Sequence, residues 1–336
     1  MSRILAVKKL ALLLLLTFSL SACAQNTPAP KKIRNITIAF GGDVHGVDQI
    51  SNYLNSGGNP FKNISKAIKS ADISVVNLES AVTTSTEHQD KEFFFNSNPY
   101  LLDWMKTEGV DVVNIGNNHA GDYLRPGFTD TLKNLTEREF KIIGGGINGR
   151  EAWTAKVIDV RGTKIAFLGI AKINSGVETV ATAENPGTTN GWDPTVIELA
   201  IKAAARRADA VIVYTHWGQE AKTCPAKSEV RDANQWLEWG ATAVIGSHPH
   251  RQQPYVLENG KLIDYSLGNF IFHASSSGGL KSGVGILSLS PKGQVVKYVF
   301  KPALINPRTG SPSFIYGEAK DAAKRDKNRY CSSLNR

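Results

Sequence analysis

Two histidines, His248 and His250, flank Pro249 in the stretch IGSHPHRQQP, directly behind an apolar run, in a chain with only seven histidines. A residue before proline is driven towards extended backbone. In extended backbone, residues two apart point the same way, so the pair is expected to present two imidazoles to one side. Asp43 and His45 in GGDVHG repeat this spacing behind another apolar run. Three more runs end alike. VVNLES carries Asn77 and Glu79, NIGNNHAGDY carries Asn117, Asn118, His119 and Asp122, and VYTHWGQE carries His216 and Glu220. His88 and His273 sit in polar loops and read as surface residues.

Taken singly, each cluster has an ordinary explanation. Asparagines settle in turns, a histidine beside Trp217 can be a satisfied core residue, and a glutamate suits a helix N-terminus. Taken together they form one donor set. Asp43, His45, Glu79, Asn118, His216, His248 and His250 mix carboxylate, amide and imidazole groups, which suits Mn²⁺, Fe or Zn²⁺ better than Ca²⁺. Seven donors exceed one tetrahedral ion. They fit two divalent ions about 3.5–4 Å apart with a carboxylate between them.

In open α/β sheets, ligands bind outside the carboxyl ends of the strands, so the clusters converge if the apolar runs are strands. NITIAF, ADISVVNLE, GVDVVNIG and KIIGGG read as strands. PFKNISKAIKS, NPYLLDWMKTEG and RPGFTDTLKNLTEREF between them read as amphipathic helices, which gives parallel βαβ units. AKVIDVRGTKIAFLGIAKI reads as two strands about RGTK. The helices DPTVIELAIKAAARRA and SEVRDANQWLEWG alternate with the strands DAVIVYTHWG and ATAVIG. Trp236 and Trp239, three apart on the second of these helices, are assigned to packing. Hairpins follow, turning at Asn259-Gly260 and at Pro291-Lys292-Gly293. A mixed α/β domain with more than one sheet is expected.

The chain opens with Arg3, Lys8 and Lys9, an apolar run, and the tetrapeptide Leu20-Ser21-Ala22-Cys23. This is the form of an export signal, and the run is short for crossing ~30 Å of hydrocarbon. The tetrapeptide resembles a bacterial lipobox, which makes Cys23 the lipidated first residue of the mature chain. Residues 1–22 are read as a lipoprotein signal peptide, 23–32 as a polar tether, 33–303 as the folded domain and 304–336 as a polar tail. The protein is expected to be exported and lipid-anchored to the bacterial cell-envelope membrane. Loss of the signal lowers the formal charge from +9 to +6. That excess, without long charge blocks, suits anionic envelope material or phosphate substrates and does not point to nucleic acid. Cys224 and Cys331 then remain, free to form one disulfide in an exported protein.

Read in order, the clusters resemble the calcineurin-like metallophosphoesterases, whose pattern begins with Asp-x-His and ends with Gly-His-x-His. A closer resemblance is to the CapA/PgsA family of capsule and poly-γ-glutamate synthesis proteins. It rests on Asn77-Leu78-Glu79, Asn117 to Ala120 with Asp122, His216-Trp217-Gly218 with Glu220, His248-Pro249-His250, and Tyr265 to Phe270, over roughly residues 36–290. The resemblance implies a four-layer α/β/β/α sandwich of metallophosphatase-like type with mixed sheets. It also implies that Asp43, His45 and His250 hold one ion, that Asn118, His216 and His248 hold the other, and that Glu79 bridges them. His119 would be the general acid. His45 is a histidine that many members of the capsule family lack. Ala120 stands where phosphoesterases carry the carboxylate that orients the acid, and Asp122 is the nearest replacement.

The reading that follows is a membrane-anchored hydrolase of phosphoesters serving capsule or poly-γ-glutamate biosynthesis. Two others stay open: a non-catalytic polymer-binding accessory of an envelope synthesis or export machine, and a metal-dependent amide hydrolase acting on γ-glutamyl polymer. Asn77, Asn117, Asp122, Glu220, Asn269 and Arg251 are the expected surroundings of the site, with Arg251 placed to meet a substrate anion. The expected partners are the membrane, through the lipid anchor, and the envelope polymer with its synthase complex.

Overall fold

Alternation decides the first strand. In β1 (Ile36–Val44), Ile36, Ile38 and Phe40 enter one hydrophobic cluster and Ala39 enters another, as a period of two requires for a strand buried on both faces. The computed structural model describes residues 34–174, 176, 179–317 and 331–334. The expected signal peptide, the tether and Cys23 lie outside these residues.

After β1 come α1 (Asp48–Asn55), α2 (Ser65–Lys69), β2 (Ile73–Leu78), α3 (Tyr100–Thr107), β3 (Val112–Asn114), α4 (Leu124–Glu137) and β4 (Lys141–Ile143). A short β5 (Gly145–Gly146) and α5 (Gly149–Ala152) lead to the hairpin of β6 (Lys156–Val160) and β7 (Thr163–Ala171). Next follow β8 (Gly187–Thr188), α6 (Pro194–Ala205), β9 (Ala210–His216), α7 (Lys227–Glu238) and β10 (Ala243–Ser247). The last third is β11 (Tyr255–Glu258), β12 (Lys261–Asp264), β13 (Asn269–Ile271), β14 (Lys281–Leu289), β15 (Val295–Ile305) and β16 (Pro312–Phe314). None of the helices among the described residues is long and apolar enough to cross a membrane.

One sheet runs β16-β15-β14-β1-β2-β3-β4 and the other β11-β12-β10-β9-β7-β6. Strands β1 to β4 are parallel, as are β7, β9, β10 and β12. Ile38, Val75 and Val112 of the first sheet share a cluster with Phe167, Ile212 and Ile245 of the second. The opposite faces are covered by helices. Leu54, Ile68, Leu102 and Leu135 pack on the first sheet, and Ile197, Ile201, Ala233 and Trp236 pack on the second. The result is the four-layer α/β/β/α order.

One irregularity positions the site. Up to Phe40, β1 pairs antiparallel with β14, and from Asp43 it pairs in parallel with β13, Asp43 opposite Asn269. Gly41 and Gly42 permit the switch. A Cβ on Gly42 would lie 1.8 Å from the carbonyl oxygen of Gly268, and one on Gly41 would lie 2.5 Å from the Phe270 ring. Such contact excludes any side chain. The amides of Asp43 and His45 then donate to Gly268 O at 3.1 Å and Ile271 O at 3.0 Å.

The folded structure runs past the boundary drawn at residue 303. Strand β15 continues to Ile305, β16 pairs with it, and Cys331 is disulfide-bonded to Cys224. An edge strand of three residues needs little apolar alternation, so the segment's polar composition concealed it.

Candidate metal centre

Asp43, at the switch in β1, is fully buried. Its Oδ1 accepts from Asn77 Nδ2 at 2.8 Å and its Oδ2 from the amide of His248 at 3.2 Å. Burial alone would raise its pKa. The hydrogen bond with His250, the charges of His216 and His250, and the Asn77 amide outweigh that and bring it down to about 2.

Asparagines at successive strand ends hold this carboxylate. Asn77 Oδ1 accepts from Asn114 Nδ2 at 2.8 Å and from Asn117 Nδ2 at 3.0 Å. Asn117 also donates to Leu78 O, and its Oδ1 accepts from the amides of His119 and Ala120. It therefore fixes the turn that carries Asn118 and His119. Asn114 was not among the expected residues, yet the repeated Val-Val-Asn at the ends of β2 and β3, in register Asn77 opposite Asn114, was a signal for it.

Glu79 is buried, and neither of its carboxylate oxygens has a hydrogen-bond partner. Burial, together with the charge of Asp43, lifts its pKa to about 8. Around it the histidines close in. His216 Nε2 lies 3.2 Å from Glu79 Oε1, 2.8 Å from Asn118 Oδ1 and 3.1 Å from His248 Nδ1. Its Nδ1 faces Ser247 Oγ at 3.0 Å. His250 Nε2 lies 3.8 Å from the same Glu79 oxygen, while its Nδ1 faces Asn269 Oδ1 at 2.8 Å and Asp43 Oδ2 at 3.5 Å. Two acceptors at Nδ1 place the proton there and leave Nε2 as a ligand atom, the arrangement that metal-binding histidines use. Burial pulls the pKa of His216 to about 3 and of His248 to about 2. Burial acts the same way on His250, but Glu79 and Asp43 overcome it and raise that pKa to about 10.

Two ligand trios result, Glu79-His216-His248 and Asp43-Glu79-His250, with the ligand atoms of each within 4.8 Å of one another and Glu79 common to both. A buried carboxylate without donors is costly. A divalent cation between these oxygens and the imidazole nitrogens would satisfy it. The residues fit the expected group.

One expectation is corrected, and two expected site residues are held by other partners. His248 and His250 do not converge through extended backbone, since their φ angles are +96° and +51°. Tertiary partners bring their ring centroids to 6.0 Å, through Asp43 for His248 and Asn269 for His250. His45 lies beside Asp43, but its Nδ1 accepts from the Val47 amide at 3.3 Å and its Nε2 from the His273 amide at 3.2 Å. Strand β1 ends at Val44, so the alternation that would have aimed His45 with Asp43 stops one residue short. It is wedged between Phe95 and Phe272, and burial holds its pKa well below the usual histidine value. Arg251 bonds its own neighbour, His250 O at 2.8 Å, and Ser276 Oγ at 2.9 Å, so loop 274–280 occupies the guanidinium.

His119 stands at the rim. Its Nδ1 is 2.8 Å from Asp122 Oδ2, and its ring stacks on Phe95 at 4.1 Å. Asp122 is also ion-paired with Lys91 and accepts from the Phe95 amide at 2.6 Å. Lys91 and Phe95 come from the long loop between β2 and α3, which carries no ligand-type pattern and gave no warning of this role. Glu220 is exposed, and its charge acts on Glu79 and His216.

Residues 37–274 match the family model described as "Bacterial capsule synthesis protein PGA_cap". The PGA biosynthesis protein CapA of Bacillus subtilis (strain 168) is 33% identical over 217 residues, 63% of this chain and 56% of that protein. The capsule biosynthesis protein CapA of Bacillus anthracis is 29% identical over 257 residues, 73% of this chain and 62% of that protein. The chain thus spans only about six-tenths of the length of these relatives. Among solved structures, a novel phosphatase from Mycoplasma pneumoniae has a TM-score of 0.51 and 15% identity, covering 81% of this chain and 94% of that one. The fold is of metallophosphatase type.

Proposed function

The chain belongs to the bacterial capsule synthesis protein family PGA_cap, and from that premise we propose that it hydrolyses phosphoesters in the making of capsule or poly-γ-glutamate. The observation that carries this reading is the His119–Asp122 pair standing beside the ligand trios that share Glu79. Asp43, Glu79 and His250 would hold one divalent ion, and Glu79, His216, His248 and Asn118 a second. Such ions supply Lewis acidity towards a phosphoryl group and a nucleophile at neutral pH. The protein's own part is positional and protonic. Asn77 and Asn114 hold Asp43, and Asn269 sets the tautomer of His250. Asp122 accepts from His119 Nδ1–H and so favours the imidazolium, whose Nε2 proton would pass to the departing oxygen while the Nδ1 proton stays hydrogen-bonded to Asp122. The lipobox-like tetrapeptide ending at Cys23 supports action at the envelope membrane.

A second reading, a non-catalytic polymer-binding accessory, is favoured by His45. The histidine that would complete the phosphoesterase set is bonded to backbone amides instead. The full-length chain, purified in detergent and supplied with Mn²⁺, should hydrolyse p-nitrophenyl phosphate or its bis-ester. His119→Ala should lower the rate by about 10²-fold or more. Equal background rates in both proteins would reject hydrolysis and leave the accessory reading.

A further inference from the structure

A second concave site opens along the same strand ends, beyond His216. The amide of Lys172, the residue after β7, donates to His216 O at 2.9 Å, and the amide of Gly191 donates to Ala171 O at 2.7 Å. Between these strand ends, the start of α6 and the flank of α7 lies a cleft of about 360 Å³, within the range of small-molecule sites. Trp236 forms its inner wall, stacked on the buried Trp217 at 5.4 Å. Trp192 and Trp239 line it further out, and Trp192 is 66% exposed. Lys172 Nζ lies over the Trp192 ring, 4.9 Å from its centroid, so the exposed indole and the cation of the cleft are held together.

The polar groups of the cleft decide which ligand fits. Lys172 pairs with Asp232, and Arg231 donates to the other oxygen of Asp232 through Nε at 3.0 Å and Nη2 at 2.8 Å. Asp232 thus offsets much of the charge of both cations, and no row of uncompensated positive charge awaits a polycarboxylate. What remains is a cleft walled by three indoles and edged by Lys172, Arg231, Asp232 and Gln235. That combination matches a pyranose ring, which offers an apolar C–H face to an indole and a rim of hydroxyls to paired amide, carboxylate and guanidinium groups.

We propose that the cleft lined by Trp192, Trp239, Lys172 and Asp232 binds a sugar unit of a neutral or weakly charged glycan. This holds whether or not the metal centre is catalytic, because it rests on different residues.

Titration of the full-length chain in detergent with N-acetylglucosamine tetramer, maltotetraose and poly-γ-glutamate, followed by tryptophan fluorescence and calorimetry, tests it. At least one of the two saccharides is expected to bind. Trp192→Ala, a surface change that leaves the melting temperature unaltered, is expected to weaken that binding roughly tenfold, with Trp192→Phe recovering part of it. The proposal is overturned if neither saccharide binds at millimolar concentration, or if Trp192→Ala and Trp239→Ala both bind as the parent does. Binding of poly-γ-glutamate alone, lost in Trp192→Ala, would overturn it in favour of a polypeptide ligand.

Discussion

Asp122 Oδ2 lies 2.8 Å from His119 Nδ1, three residues away in a turn rather than in the adjacent position where Ala120 stands. A carboxylate that orients the His119 imidazole is thus present although the expected position lacks one. The turn is held by Asn117, whose side chain caps the amides of both His119 and Ala120.

Asp122→Asn can keep an acceptor at the oxygen shared by the Phe95 amide and His119 Nδ1, but it removes the negative charge that favours a protonated His119. The expected effect is a fall in kcat of about 10²–10⁴-fold with little change in Mn²⁺ affinity. A variant within threefold of the parent rate would remove Asp122 from the mechanism.

Glu79→Gln replaces the shared, undonated carboxylate with a neutral amide. Mn²⁺ binding measured by calorimetry should weaken by about tenfold or more, while the metal-free variant melts close to the parent at pH 7, because burial already holds Glu79 mostly protonated there. Undiminished binding would mean that Glu79 is not a ligand.

Stability against pH has a predictable shape in the metal-free protein. His216 and His248, folded values about 3 and about 2 against 6.5 unfolded, are neutral where the unfolded chain is charged, so they favour folding more strongly as pH rises to 6.5. Glu79 and His250, raised to about 8 and about 10 from 4.5 and 6.5, act oppositely. Their contribution is whole below the unfolded values and is lost as pH climbs through the folded ones. Two histidines outweigh one glutamate below 6.5, and only the opposing pair acts above it. The melting temperature should therefore peak near pH 6.5, and saturating Mn²⁺ should lift the alkaline side, since metal favours deprotonated ligands. A metal-free profile that keeps rising to pH 9 would refute the assignment.

The Cys224–Cys331 bond closes a loop of sequence separation 107. Cys224→Ser paired with Cys331→Ser should cost about 3–5 kcal/mol of unfolding free energy by denaturant titration. A midpoint unaffected by the double change or by reductant would show that the link is not formed in the protein.

The strand-end clusters were legible because parallel strands deliver their carboxyl ends to one edge, so Asp43, Glu79, Asn118, His216 and His248 had to meet once the βαβ order was read. What the sequence hid was set by partners distant in the chain. His45 turns to the amide of His273, and Arg251 is taken up by Ser276. Lys91 and Phe95 reach Asp122 from a loop with no periodicity. The left-handed backbone at His248 and His250 is likewise imposed by tertiary contacts that local rules on proline do not contain.

The change of neighbour in β1 also sets an order of events. This opening strand pairs with Ile286 and Leu289 near one end and with Asn269 at the other, all emerging more than two hundred residues later. A growing chain cannot complete its first sheet, and its leading edge stays unzipped until the final third arrives. Loops that long slow folding and prolong exposure of sticky strand edges. A chaperone guarding residues 36–44 until then would serve this molecule more than one acting on any later segment.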